Sequence, residues 1–249
     1  MSGRQRRGLR ITINHEPSIM NWITRILDFI SPRLCVVCGE RLAPTERSLC
    51  SVCLFHLPRT DFHQKPLDNT MAQLFWKLSP VEKAAALFYY QPHAQMAQMV
   101  YRLKYNNRPD IGEDMGRVMA SEMQLSDFFR DIDVLLPVPL SRKRLRQRGY
   151  NQSEMLAIGV SDITHLPIVT KALQRKEFHQ SQTKLNRWQR QENVADTFEL
   201  MDDSQLKGRH VLLIDDVCTT GATLIACANA LKDVESIRIS VLTLGFTKD

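Results

Sequence analysis

The chain has 249 residues, of which 43% are hydrophobic and 24% are charged, and its formal net charge is +6. This composition excludes a disordered or fibrous chain, and the length suits one large domain, or one domain with a small module. The mild excess of positive charge permits a polyanionic partner without requiring one. No run of about 18 apolar residues occurs, so no transmembrane segment is predicted.

The amino-terminal segment differs from the rest of the chain. Residues 1–10 contain four arginines and no acid, and no apolar segment of a secretory signal follows them. We expect residues 1–19 to be a disordered extension, or to result from a translation start assigned too far upstream, because nothing in them can pack. From Trp22 to Ile30, apolar residues recur on one face of a short helix that Pro32 ends. Such a helix packs on its own domain or touches a membrane surface, so peripheral membrane association stays open.

Four of the six cysteines form two C-x-x-C pairs, and they are Cys35, Cys38, Cys50 and Cys53. Each pair turns tightly enough to direct two thiolates at one ion, and two such pairs are typical of tetrahedral zinc. Two disulfides or a redox dithiol are the alternatives. A disulfide within C-x-x-C closes too small a loop to stabilise much, and a redox motif needs only one pair. We predict a structural Zn²⁺, because four thiolates leave no position for water.

Beyond the cysteines, a connector over 54–80 leads into apolar strands that alternate with amphipathic helices. This order predicts a largely parallel α/β sheet with both faces covered. The predicted strands are 83–90, 133–140, 168–173, 209–217 and 236–246. The predicted helices are 95–106, 111–125, 153–163 and 223–233, with Asn151 as the cap of the third. Three parts follow: the extension 1–19, a helix with a zinc-ribbon-like module over 20–62, and an α/β domain over 63–249.

One strand-to-helix loop has the composition of a ligand site. Asp215 and Asp216 end an apolar strand, and small residues follow at a helix start, namely Thr219, Thr220, Gly221, Ala222 and Thr223. Backbone N–H groups and the helix dipole suit a phosphate there, while carboxylates accept hydrogen bonds from sugar hydroxyls. The alternative is an ordinary turn with solvated acids. Against it, two acids at the end of a buried strand are unfavourable without a partner or ligand. The pattern favours a phosphorylated sugar.

The segment LLIDDVCTTGAT resembles the motif with which type I phosphoribosyltransferases bind phosphoribosyl pyrophosphate (PRPP). The segments 135–157 and 179–198, with the C-x-x-C pairs, resemble the ComF (competence protein F) family. The resemblance implies a type I phosphoribosyltransferase-like parallel sheet flanked by helices, beside a small four-cysteine zinc module. It also implies that Asp215 and Asp216 bind the ribose, that the loop 219–223 binds the 5-phosphate, and that Mg²⁺ accompanies PRPP.

Five cations lie within seven residues, and they are Arg142, Lys143, Arg144, Arg146 and Arg148. In phosphoribosyltransferases, the loop after the preceding strand meets the pyrophosphate of PRPP, which calls for cations. Contacts with the phosphates of single-stranded DNA and a solvated basic helix are the alternatives. Segment 176–193 is either a hood that closes over PRPP or a plain surface loop. No residue is assigned as the general base.

The resemblance implies a PRPP-binding protein linked to DNA uptake or natural transformation. It would act in the cytoplasm or at the inner face of the membrane, with other competence proteins as partners. Two function classes follow. One is an enzyme that transfers phosphoribose from PRPP to an acceptor that the sequence does not identify. The other is a non-catalytic adaptor that binds single-stranded DNA and keeps PRPP binding as a regulatory site.

Overall fold

A computed structural model describes residues 32–92, 94–177 and 197–247. The predicted helix from Trp22 to Ile30 lies outside these residues, as does most of the predicted hood, from residue 178 onward. Within the described ranges, no helix has the length and apolar character that a bilayer span requires.

The core of the molecule is a parallel sheet. Its strands are β1 (Val81–Tyr90), β2 (Val134–Pro137), β5 (His210–Cys218) and β6 (Arg238–Thr247). They lie in the order β1, β6, β5, β2, and all neighbours are parallel. A separate antiparallel pair consists of β3 (Leu173–Arg175) and β4 (Phe198–Leu200). The apolar runs in the strands are continuous because helices cover both faces of the sheet.

The prediction of a strand over 168–173 is wrong. Ile168 forms a single parallel bridge with Leu135, in which the Val169 N–H donates to the Leu135 carbonyl. The next hydrogen bond along this edge would need a backbone N–H at Pro137, and proline has none. The chain therefore leaves the sheet, and strand structure resumes only at Leu173.

Seven α-helices accompany the strands in the described part of the chain. They are α1 (Ser51–His56), α2 (Thr70–Gln73), α3 (Gln95–Tyr105), α4 (Pro109–Met123), α5 (Arg142–Arg148), α6 (Gln152–Thr164) and α7 (Ala222–Leu231). The four predicted helices correspond to α3, α4, α6 and α7, with ends that differ by at most two residues. Asn151 caps α6, as predicted, by accepting a hydrogen bond from the Ser153 N–H at 3.2 Å. The basic segment forms α5, which Ser141 caps.

Residues 54–80 pack on the sheet instead of forming a free connector. Phe62, Met71 and Phe75 are buried. Asn69 caps α2 through its side-chain oxygen, and its amide group donates to the Ala84 carbonyl at 2.9 Å. This segment is therefore tied to β1 by hydrogen bonds as well as by its apolar side chains.

Helices α4 and α6 approach each other closely because glycines lie at their contact. A Cβ atom added to Gly116 would lie 2.9 Å from the Gly159 Cα. A Cβ atom on Gly159 would lie 2.8 Å from the Arg117 nitrogen and closer still to the Glu113 carbonyl oxygen. This contact fixes the position of α6, whose first turn carries residues of the candidate site.

The segment that contains the four cysteines (residues 35–53, here called the cysteine segment) and the residues just after it contact α4 through polar groups. The Ser48 hydroxyl donates to Asp114, which is buried, and Arg59 forms an ion pair with Glu122 at 2.8 Å. The predicted boundary between residues 62 and 63 stays a prediction.

Candidate functional site

The two adjacent acids lie near the carboxyl end of β5 and bind different helices. Successive side chains of a strand point to opposite faces of the sheet. Asp215 accepts a hydrogen bond from the Ser153 hydroxyl of α6 at 2.9 Å. Asp216 forms an ion pair with Lys104 of α3, with 2.6 Å between Nζ and Oδ2. The two carboxylates thus contact two different helices.

Contacts within the protein satisfy one of these two acids more fully than the other. Asp216 is 8% exposed, and Lys104 together with the Val217 N–H, at 2.7 Å, satisfies its oxygens. The expected partner of this acid therefore lies within the protein, and burial alone does not require a ligand. Asp215 differs, because it forms no ion pair with any other residue that the structure describes. Burial, and then the charge of Asp216, raise the pKa of Asp215 to about 7, although the Asp216 N–H and the Ser153 hydroxyl lower it.

The loop after β5 forms a small pocket with Asp215. Its lining includes Thr219, Thr220, Gly221, Ala222 and Thr223, and the two first threonines are exposed. Gly221 is the N-cap of α7 and has φ +74°, which glycine adopts without strain. The first N–H groups of α7 have no partner within the helix, so this end of the pocket suits an anion.

Substitution at Gly221 would act differently from the simple filling of a phosphate pocket. A Cβ atom there would contact Leu74 and Phe75, each at 3.5 Å. The Cβ atom itself would fit, but the further methyl groups of a β-branched residue would crowd Leu74 and Phe75, and such a residue would also resist the positive φ.

The turn between α5 and α6 holds Ser153 beside Asp215. Gly149 ends α5 with φ +80°. The Asn151 amide group donates to the Val138 carbonyl at 3.0 Å, while its oxygen accepts from the Ser153 N–H. The end of β2 and the start of α6 are thereby locked together next to β5.

The predicted basic cluster forms the exposed helix α5. Arg142, Lys143, Arg144 and Arg146 are exposed, and Arg148 is half-buried. Arg142 lies 4.0 Å from Glu177, and Arg148 donates to the Gln152 side chain at 2.6 Å. The charges therefore lie on one exposed helix that leads directly into the site.

The sequence analysis missed Lys104, Ser153 and Arg175. Arg175 ends β3, and its guanidinium lies 5.3 Å from the Phe198 ring centroid. Burial, and then the charge of Arg144, lower the pKa of Arg175, whereas Asp215 acts in the opposite direction. No ion pair of Arg175 with another described residue is present. The only available signal was an arginine that follows the predicted strand 168–173 by two residues.

The four cysteines of the C-x-x-C pairs converge. Their sulfur atoms all lie within 4.8 Å of one another, and 3.7 Å separates Cys38 Sγ from Cys50 Sγ. Zinc–sulfur bonds of about 2.3 Å in a tetrahedron place the sulfurs about 3.8 Å apart. The N–H groups of Cys50 and Cys53 donate to sulfurs of the cluster, which favours thiolates. All four thiols are free, so the residues fit a tetrahedral metal ion and not two disulfides.

Comparisons with known proteins agree with this geometry. Residues 151–246 match the model of the phosphoribosyl transferase domain. The chain is 28% identical over 201 residues to the DNA utilization protein YhgH of Escherichia coli O157:H7, covering 80% of this chain and 83% of that protein. It is 27% identical over 147 residues to competence protein F of Haemophilus influenzae, covering 57% and 64%. Competence protein ComFC of Bacillus subtilis is 35% identical over 100 residues, covering 39% and 38%.

Among solved structures, the allosteric regulatory enzyme of purine biosynthesis aligns with a TM-score of 0.41 and 19% identity, over 58% of this chain and 30% of that one. The parallel sheet and the loop between β5 and α7 define a phosphoribosyltransferase-type domain. With its cluster of four cysteines before that domain, the chain is similar to the proteins named competence protein F and ComFC.

Proposed function

We propose that the protein binds PRPP with Mg²⁺ and acts in the handling of DNA during uptake. The observation that supports this most strongly is the pocket in which Asp215 faces the small-residue loop at the start of α7. Asp215 and Asp216 would hold the ribose hydroxyls, and the loop 219–223 would hold the 5-phosphate. Magnesium would neutralise charge on the pyrophosphate as it is bound.

Arg175 extends this proposal to the pyrophosphate. A half-buried guanidinium has donors that match phosphate oxygens, and two arginines held near each other favour an anion between them. Arg144 lies close enough to Arg175 to lower its pKa, and Asp215 acts on Arg175 in the opposite direction. We infer that Arg175 binds the pyrophosphate group, together with the first residues of α5.

Arg175→Gln should weaken the binding of PRPP much more than the binding of ribose 5-phosphate. We expect the affinity for PRPP with Mg²⁺ to fall about 10-fold or more, which corresponds to the loss of one charge-assisted hydrogen bond. The affinity for ribose 5-phosphate, which has no pyrophosphate, should change little. Calorimetric titration with both ligands measures this difference, and Lys207→Gln, at an exposed ion pair just before the amino end of β5, is the control. Equal losses for the two ligands would contradict the assignment.

The proposed PRPP site has two alternative roles. The protein either transfers phosphoribose from PRPP to an acceptor or binds PRPP as a regulatory ligand without turnover. A transferase releases pyrophosphate only when its acceptor is added, so pyrophosphate release with a panel of nucleobases and nucleic acids tests the enzyme directly. The names of the relatives, which refer to DNA utilization and competence, favour a role with DNA in either form. We propose the cytoplasm as the compartment, because a site of four thiolates needs thiols that stay reduced, and the inner face of the membrane is the alternative.

We also propose that Cys35, Cys38, Cys50 and Cys53 hold one structural Zn²⁺. Thiolate ligation couples the metal to folding. Chelation should therefore loosen the cysteine segment while the α/β core keeps its structure. Metal analysis of freshly purified protein should give one zinc ion per chain, and limited proteolysis after chelation should cleave near the cysteines first. Protein without zinc and with these thiols in disulfides would refute the proposal.

The exposed cations of α5 are proposed to contact the phosphates of single-stranded DNA. Replacing Arg142, Arg144 and Arg146 with glutamine should weaken DNA binding and flatten its dependence on salt concentration. Each lost phosphate contact lowers the slope of log affinity against log salt by roughly 0.7 on a single strand. Anisotropy titrations at several salt concentrations measure this slope. An unchanged slope would show that α5 does not contact the DNA backbone.

A further inference from the structure

Two tyrosines lie side by side on the outward face of α3. Tyr101 and Tyr105 are 59% and 61% exposed, and their ring centroids are 5.0 Å apart, with the planes inclined by 44°. The guanidinium carbon of Arg148 lies 5.3 Å from the Tyr105 ring centroid. These three side chains, which we call the tyrosine platform, present aromatic surface and a cation to solvent. The buried face of α3 already fills the core with Met96, Met99, Val100 and Leu103, so the tyrosines are not needed for packing.

The tyrosine platform borders two other charged features. Arg148 is the last residue of α5, a helix that contains five cations and no acid. On the other side, Lys104 precedes Tyr105 and forms the ion pair with Asp216 at the candidate PRPP pocket. The platform therefore lies between the basic helix and the residues proposed to bind PRPP.

We propose that the tyrosine platform stacks the bases of single-stranded DNA whose phosphates contact α5. This inference rests on the DNA-binding part of the proposed function and identifies the surface that contacts the bases. Exposed aromatic rings stack on unpaired bases, which a duplex does not present, and stacking does not depend strongly on sequence. A free nucleobase would gain only one-sided contact on rings that are this exposed. An acidic peptide would use the cations of α5 but would leave the flat ring faces unused.

The test compares oligonucleotides with the same phosphates and different bases. A dye-labelled strand of twelve thymidines should bind the full chain more tightly than a strand of equal length with abasic sites. Tyr101→Ala/Tyr105→Ala should lower the affinity for the thymidine strand about 10-fold or more, as expected for lost base–aromatic stacking. The same variant should bind the abasic strand as the wild type does, and its salt slope should be unchanged. Tyr101→Phe/Tyr105→Phe keeps both rings and should bind like the wild type.

Three results would overturn the inference. They are equal affinity of the alanine variant and the wild type, failure of the wild type to distinguish the two strands, and absence of strand binding at low salt. Leu125→Ala, at a site that is 89% exposed on another part of the surface, controls for non-specific effects. Titration of PRPP into the alanine variant shows whether the fold and the proposed ligand site survive. If the alanine variant binds both PRPP and DNA as the wild type does, the role of the tyrosine platform is refuted while the proposed PRPP site is not.

Discussion

Asparagine substitutions at the two adjacent acids should change stability in opposite directions while both weaken PRPP binding. Asp215→Asn should raise the melting temperature of the ligand-free protein at pH 8 by about 2–4 °C, which is the shift that about 1 kcal/mol produces in a chain of this size. Asp216→Asn should lower it, because Lys104 would lose its charged partner in a largely buried position. The binding of PRPP should weaken about 10-fold or more in each variant, through the loss of charged acceptors for ribose hydroxyls.

The pH dependence of the Asp215 effect follows from its environment. The folded-state pKa is about 7 against a usual value of 3.8, so the folded protein holds this proton more tightly than the unfolded chain does. The contribution of Asp215 to stability is therefore fully present below about pH 4 and is lost as the pH rises through 7. Asparagine does not titrate, so the gain in melting temperature should shrink as the pH is lowered towards 4. Thermal unfolding of both variants between pH 4 and pH 8 measures this. Equal signs for the two substitutions would contradict the assigned contacts.

Gly159→Val should be the most destabilising single change among the glycines of the α/β domain. Its Cβ atom would collide with the backbone of α4 at Glu113 and Arg117, so the two helices would have to separate. Overpacking of this kind costs about 3 kcal/mol, and more where the clash is with backbone atoms. Because α6 also carries Ser153, the hydrogen bond to Asp215 should be lost, and PRPP binding should weaken.

Gly208→Ala provides the control for this substitution. Gly208 has φ +66°, and no atom lies within 4 Å of a Cβ placed there. We therefore expect a loss of only about 1 kcal/mol, from backbone strain alone. Urea unfolding of the two variants compares the effects directly. A Gly159→Val protein as stable as the control would show that α4 and α6 do not meet as described.

The sequence was most informative where one pattern determined both structure and chemistry. The apolar run before Asp215 predicted β5, and the small residues after it predicted a loop at a helix start. The spacing of the C-x-x-C pairs predicted that four sulfurs would meet. In each case the groups are close in sequence, so their arrangement in space depends on one local element and its ends.

Contacts between distant segments were not predictable in this way. Lys104 is one of several polar residues at the end of an amphipathic helix, and its pattern does not indicate that it faces Asp216. Arg175 was missed because the strand that it ends was predicted too early in the sequence. That error arose at Pro137, where a missing N–H ends the pairing with the Ile168 segment. The effect depends on which strands are neighbours, and a single sequence does not reveal that.

Calorimetric titration of PRPP with Mg²⁺ into the wild-type chain tests most directly whether the pocket between Asp215 and Thr223 binds PRPP. We expect saturable binding at one site per chain, with ribose 5-phosphate binding at the same site more weakly. Gly221→Val should reduce the binding of both ligands, because the strained loop can no longer present its N–H groups. Absence of heat and of competition at millimolar PRPP, or equal binding by the Gly221→Val and wild-type proteins, would show that this loop is only a turn.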